Sequence, residues 1–225
     1  SAAGSRAGER DRSIWKSHGA DRADPPSANW RRRTASPPRR PTKPDLADAV
    51  GRSVADLIAP DLHVLFCGIN PGLYSAATGH HFARPGNRFW PSLHAAGFTA
   101  RILHAWEERE LLTDHLGITN LVARATVAAA ELSADELVDG RAILLRKVHK
   151  FRPRWVAVLG IGAYRLAFAE PKANPGRQAS SFGSAGLWVL PTPAGSTPAH
   201  HVRDPRALSR RFAGAQPQES GAEPP

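Results

Sequence analysis

HVLFCGINPGLYSA, residues 63–76, is the stretch on which the fold turns. From Val64 to Cys67 every side chain is apolar, so both faces of a period-two strand are greasy. That is the mark of a strand buried on both sides, as in a parallel sheet. Gly68 ends the run and opens a loop in which two glycines and a proline surround a single amide side chain, Asn70. In open α/β sheets ligands collect beyond the carboxyl ends of the strands. This loop is therefore the first place to look for chemistry.

Working outward, the pattern alternates. Asn87–Ala96 (NRFWPSLHAA) and Thr99–Leu112 read as helices, and Gly117–Val122 (GITNLV) as a second strand. Ser133-Ala134-Asp135-Glu136 is a capping box that opens a helix running to about Lys150, with Leu137, Leu144, Val148 and Phe151 recurring on one face. WVAVL (155–159) reads as a strand, Gly162–Ala169 as a helix, Leu187–Leu190 as a last strand and Pro205–Phe212 as a terminal helix. Strands separated by helices predict an α/β sandwich with a mainly parallel central sheet. The loops to inspect thus follow Cys67, Val122, Leu159 and Leu190.

The 225 residues carry 30 Lys and Arg against 20 Asp and Glu, a formal charge of +10. Residues 1–45 hold 11 of the basic and 5 of the acidic side chains, including Arg31, Arg32, Arg33, Arg39 and Arg40, together with six prolines. Such a segment buries too little apolar surface to offset its ordering entropy, so 1–45 is expected to be a disordered basic arm. It is either a tether for phosphate backbone or a plain soluble extension. The body is then 46–213, and 214–225 (GAQPQESGAEPP) a second disordered tail. A basic excess favours a polyanionic partner, nucleic acid or anionic membrane.

Cys67, the one cysteine, excludes an intramolecular disulfide framework, a CxxC pair and Cys-ligated clusters, and fits a reducing compartment. No apolar run is long enough to span a bilayer. The chain is accordingly expected to be soluble and cytoplasmic, with no membrane partner. There is no GxGxxG, no Walker-type Gly-Lys-Ser/Thr and no GxSxG elbow. His80-His81 and His200-His201 lack any accompanying ligand pattern, so no metal site is expected. Nothing points to an organic cofactor.

Several segments in order resemble the bacterial mismatch-specific uracil-DNA glycosylases, relatives of thymine-DNA glycosylase. They are GINPGLYSA (68–76), TGHHFARPGNRFW (78–90), AGFT (96–99), GITNLVARAT (117–126) and LWVLPTPAG (187–195). The resemblance runs from about Leu62 to His201. It implies a three-layer αβα fold and an enzyme that flips uracil, preferably opposite guanine, out of double-stranded DNA and removes it hydrolytically. The product would be an abasic site. The enzyme would work as a monomer and without a cofactor.

The resemblance also assigns roles. Asn70 falls where the family positions its water; the plainer and less favoured reading is that it merely caps the turn before Pro71. Phe82 aligns with the aromatic that stacks on the flipped base, a task that needs a flat apolar partner; the less favoured reading is a plain core residue. The backbone of Ile69 and Phe82 would read the pyrimidine edge. Ser75 would line the C5 side of the base, with Tyr74 at the entrance, and Asn120 would contribute from the end of its strand. Arg88 would contact phosphate or pair beside Trp90. The second motif departs from the family's Asn-Pro-Ser-Gly-Leu pattern: here it is Thr192-Pro193-Ala194-Gly195-Ser196-Thr197-Pro198. Gly195, Ser196, Thr197 and Pro198 form the expected DNA-entering and guanine-contacting loop, in which Ser196 replaces an apolar wedge and Pro198 offers another. No lysine accompanies the motifs as a Schiff-base nucleophile. The competing reading is a non-catalytic or weakly active α/β module that binds nucleic acid.

Overall fold

The computed structural model of the chain describes residues 37–193. It opens on α1 (Lys43–Ala47), whose N-cap Thr42 and Asp45 form a reciprocal capping box, with Pro44 in the first turn. The boundary expected at residue 45 therefore falls inside a helix. The arginines and prolines around it masked the Thr-x-x-Asp start signal. Then come β1 (Val64–Gly68), α2 (Leu73–Thr78), α3 (Phe89–Ala95), a 3₁₀ helix (Ala105–Asp114), β2 (Leu116–Asn120), α4 (Ala134–Phe151), β3 (Trp155–Leu159), α5 (Ile161–Ala167), β4 (Gly176–Phe182) and β5 (Ala185–Leu190).

The described strands form one five-stranded sheet in the order β2-β1-β3-β5-β4. The first four run parallel, and β4 pairs antiparallel with β5 at the edge. Strand alternation sorts the apolar runs into two cores. Val64 and Phe66, Trp155, Ala157 and Leu159, and Trp188 and Leu190 meet Phe89, Trp90 and Leu93 of α3 and Leu111 of the 3₁₀ helix. Leu65 and Cys67, Val156 and Val158, and Leu187 and Val189 meet Leu137, Leu144 and Val148 of α4 and Ala163, Tyr164 and Ala167 of α5. The result is the αβα sandwich predicted from sequence, and it explains why these strands read as unbroken apolar runs. Full burial also pushes the Cys67 thiol up to about 12.

Three expectations are corrected. Thr99–Leu112 is not one helix. The Thr99 hydroxyl donates to Arg101 O (2.8 Å) in a turn, and the helical stretch begins only at Ala105, where Glu107 Oε2 accepts from His104 N (2.8 Å). Arg101 then bridges Glu107 and Glu110, so surface ion pairs rather than a continuous helix organise the segment. The helix after β3 ends at Ala167, short of Ala169, whose φ of +55° breaks it. Finally, β4 (GRQASSF) was missed because an edge strand mostly open to solvent keeps polar residues on both faces. Gly183 (φ +60°) and Ser184 turn it back into β5, which starts at Ala185 rather than Leu187. The terminal helix expected at 205–212 lies outside the described residues. Among the described residues, no helix is long and apolar enough to cross a membrane.

Candidate active site

Parallel pairing brings the carboxyl ends of β1, β2, β3 and β5 to one rim, with Gly68 opposite Asn120 and Leu159 opposite Leu190. The loop after β1 is laddered onto the loop after β2. Leu121 N donates to Gly68 O (2.9 Å), Val122 N to Ile69 O (2.9 Å) and Thr126 N to Pro71 O (3.3 Å). These bonds extend the sheet beyond the strands and leave the Asn70 backbone little freedom.

The Asn70 side chain is fixed as well. Its Nδ2 donates to Arg124 O at 3.0 Å and to Thr126 Oγ1 at 2.7 Å. A carbonyl only accepts, so the amide orientation is chemically determined. The Thr126 hydroxyl spends its proton on Ala128 O (2.8 Å) and must accept from Asn70. Both amide hydrogens are thus occupied. Oδ1 is left as the acceptor, without a protein donor among the described residues. Behind Arg124, its guanidinium grips the Glu136 carboxylate (Nε to Oε1 2.5 Å, the second nitrogen to Oε2 2.8 Å). Glu136 is the capping-box residue of α4, and the bond from Arg124, followed by that from Ser133 N, holds its carboxyl down to about 2. A capping box legible in the sequence therefore also anchors the carbonyl that orients Asn70.

Phe82 lies half-buried beside this loop. Its φ of +52° is uncommon for a bulky residue and costs on the order of 1–3 kcal/mol. One face of its ring stacks on Phe89 (centroids 4.1 Å apart, 25° between planes), and Phe66 meets Phe89 edge-on at 5.5 Å. The platform is therefore braced from the core. Above Gly68, Phe82 and Asn120 converge. A Cβ added to Gly68 would collide with Asn120 Oδ1 and come within 3.4 Å of Phe82 Cζ. The Asn120 carboxamide occupies the space that a side chain at this last residue of β1 would need, and Phe82 borders it. Asn120 itself is 8 % exposed.

The start of the second motif reaches the same place. Pro193 O accepts from Arg88 N (3.2 Å). Gly160 (φ +131°) leaves room into which Ile69 Cδ1 and Thr192 Oγ1 both project, 2.9 and 3.3 Å from where its Cβ would stand. A family model described as the uracil DNA glycosylase superfamily matches residues 55–213. The chain belongs to the uracil DNA glycosylase superfamily. Membership makes it a DNA-repair hydrolase of the glycosylase class that acts on uracil, with DNA as its partner.

Within this superfamily chain, the other expected residues fall as follows. Ser75 is buried in α2, and its hydroxyl oxygen accepts from Ala83 N (3.1 Å), so it fastens the segment that carries Phe82. Tyr74 is half-buried in the first turn of α2. The Ile69 carbonyl is taken up by Val122 N. Arg88 is exposed at the N-cap of α3. Gly195, Ser196, Thr197, Pro198, His200 and His201 lie outside the described residues. Thr126 was missed as a site residue. It lies in a quoted segment, but nothing in sequence marks a hydroxyl six residues past Asn120 as the partner of an amide in another loop.

His80 and His81 have structural partners. His80 Nδ1 lies 3.0 Å from Glu108 Oε1, His81 N donates to Glu108 Oε2 (2.9 Å), and His81 Nε2 donates to Ala55 O (3.0 Å). Among the described residues no group of three His, Cys, Asp or Glu is arranged to hold a metal ion. The lysine packed beneath β2, Lys147, pairs with Asp56 (2.6 Å) and donates to Thr119 Oγ1 (2.8 Å), on the sheet face opposite Asn120.

Burial pushes the His81 imidazole below its ordinary 6.5. The folded protein then binds this proton less readily than the unfolded chain. Stability from His81 is present in full above pH 6.5 and drains as pH falls from 6.5 toward the folded-state value, by about 1.4 kcal/mol per pKa unit. Melting temperature is thus expected to fall between pH 7.5 and 5. His81→Gln, whose amide still donates to Ala55 O, should flatten that slope; an unchanged slope would discharge His81 from the role.

Proposed function

We propose that this superfamily member is a monofunctional, mismatch-specific uracil-DNA glycosylase, of the kind related to thymine-DNA glycosylase. It acts as a monomer in the cytoplasm on double-stranded DNA that holds uracil opposite guanine. The observation that carries the reading is the Asn70 amide. Both its hydrogens are committed to Arg124 O and Thr126 Oγ1, and its Oδ1 is left to accept from a water. This amide lies two residues past Gly68, over which Phe82 and Asn120 converge. A mere nucleic-acid-binding module has no need of an oriented amide beside an aromatic floor.

The reaction follows from those parts. A uracil in duplex DNA must be flipped before its glycosidic bond is accessible, and the unbraced face of Phe82 recovers the stacking it loses. Asn120 and the backbone of Ile69 and Phe82 meet the polar edge, and Ser75 and Tyr74 bound the pocket. The C1′–N1 bond breaks with positive charge on the sugar and negative charge on the departing uracil. Asn70 Oδ1 holds a water for attack at C1′. An amide is a feeble base, so stabilisation of the uracil anion by loop N–H groups supplies much of the rate. The pairing of Lys147 with Asp56 and Thr119 supports hydrolysis without a Schiff-base step. The basic arm, Arg88 and the 195–198 loop are assigned to phosphate, duplex and guanine.

Labelled oligonucleotides with uracil opposite guanine, opposite adenine or in single strands, treated with alkali after single-turnover incubation, test this directly. The expected order is G:U well ahead of A:U and of single strands. Equal rates on all three contradict mismatch reading. No cleavage of any substrate favours the binding module.

A further inference from the structure

Phe82 has the backbone of a residue held in place. Its left-handed φ is unusual for a large side chain, and the backbone of the residue before it and of the residue after it is tied by a side chain from elsewhere in the fold. Before it, His81 N donates to Glu108 Oε2 at 2.9 Å; after it, Ala83 N donates to Ser75 Oγ at 3.1 Å. Glu108 comes from the 3₁₀ helix, 27 residues further along the chain, and is only 9 % exposed. A carboxylate is seldom buried to that degree without a fixed task. Its second oxygen is engaged as well, by His80 Nδ1 at 3.0 Å. One acidic side chain thus holds two consecutive residues that lead into the aromatic floor.

We propose that Glu108 is a positioning residue for base capture: with Ser75 it clamps the backbone N–H groups of the residues before and after Phe82, so that the ring is set against Phe89 before DNA arrives. The assignment rests on the proposed excision of uracil and adds a residue to it. Glu108 acts through the backbone and touches neither base nor sugar. Its worth lies in preorganisation, since a floor that must first rearrange captures the flipped base less often.

The discriminating variants are Glu108→Ala, Glu108→Gln and Glu108→Asp in the full chain. The Gln oxygen still accepts from His81 N while its amide donates to His80 Nδ1, so Gln keeps the clamp without the charge. Asp keeps the charge but is one methylene too short to serve both partners. Single-turnover excision from a G:U duplex is measured at saturating enzyme, alongside the half-saturating concentration, circular dichroism at the assay temperature, and hydrogen exchange of the 79–84 backbone. Ala and Asp are expected to lower the maximal rate by about 30-fold or more, in line with what small misplacements of reacting groups cost. Half-saturation, which reflects phosphate contacts, is expected to hold. Exchange at His81 should speed up in both variants, and Gln should restore the rate and the protection. Should Ala fail to fold, Gln against Asp carries the comparison. Gln as impaired as Asp, or Asp with the parental rate and protection, overturns the proposal. A parent protein that excises no uracil overturns the proposed function instead, and the exchange comparison then still reads the clamp.

Discussion

Replacing Asn70 by alanine is expected to lower the single-turnover rate of uracil release by about 10²-fold or more, the scale on which loss of a positioned reactant is felt. Affinity for uracil-containing duplex should hold, because it rests on phosphate contacts. The size of the effect follows from how the amide is spent. Nδ2 is committed to Arg124 O and Thr126 Oγ1, so Oδ1 is the one atom of Asn70 left to hold a water, and alanine removes it. The fold should tolerate the change, since Asn70 is only partly buried and the ladder from Leu121, Val122 and Thr126 to this loop runs through backbone atoms. Thr126→Val supplies the control. It deletes the acceptor for one amide hydrogen while preserving shape, so the amide swings and part of the rate is lost. On an Asn70→Ala background the same change should do almost nothing, because an orienter has no effect once its client is gone. Additive losses would separate the two residues. An Asn70→Ala enzyme with a tenth or more of the parental rate would remove the amide from the mechanism.

Much of this architecture was legible in the chain because burial on two faces writes itself into composition. VLFC and WVAVL had to be central strands, and Ser133 with Glu136 had to start a helix. The loop around Asn70 stood out because glycine and proline cluster where a chain turns sharply. What escaped was set by tertiary partners. GRQASSF is a strand only because β5 offers it an edge. The Thr99–Asp114 stretch is divided by the bonds of Arg101 and His104 to two glutamates, which composition does not order in space.

In the candidate site, motif resemblance named residues but not their partners. Asn70, Phe82 and Asn120 were singled out by motif resemblance, and Phe82 and Asn120 do meet over Gly68. The residues that orient them were not. Thr126 and Arg124 hold Asn70 across more than fifty positions of sequence, and Glu108 reaches His81 across 27. In sequence each is an ordinary polar residue of a loop or helix. Only the register between the loops after β1 and β2, and the packing of the 3₁₀ helix on the 79–88 segment, make them specific. Ser75 shows the same point differently. It was expected as a wall of the pocket, and its hydroxyl is engaged in fastening Ala83.

Gly68→Ala is the substitution expected to do most damage to the site for least chemical change. The new methyl would collide with Asn120 Oδ1 and stand 3.4 Å from Phe82 Cζ. At that distance Phe82 is in ordinary contact, so the carboxamide is the group that must give. Asn120 is 8 % exposed at the end of β2, so its carboxamide has little room to turn into, while Phe82 keeps its stack on Phe89. The Asn120 carboxamide must therefore move, and excision should fall by roughly 10²-fold, the scale of a misplacement of about 1 Å. Overpacking a close-fitted region should cost about 1–3 kcal/mol of stability, enough to shift the melt without unfolding the protein. Gly162→Ala is the matched control. That glycine lies in α5 with nothing within 4 Å of the added carbon, so alanine there should leave excision unchanged and raise stability by about 0.4–1 kcal/mol. The cause is then isolated by pairing Gly68→Ala with Asn120→Ala. If the collision with the carboxamide is what disturbs the site, removing the carboxamide makes room for the methyl. The double variant should then excise uracil no more slowly than Asn120→Ala alone. A double variant slower than both single variants would mean that Gly68 is needed for close approach of its own backbone to the base rather than for the space above it.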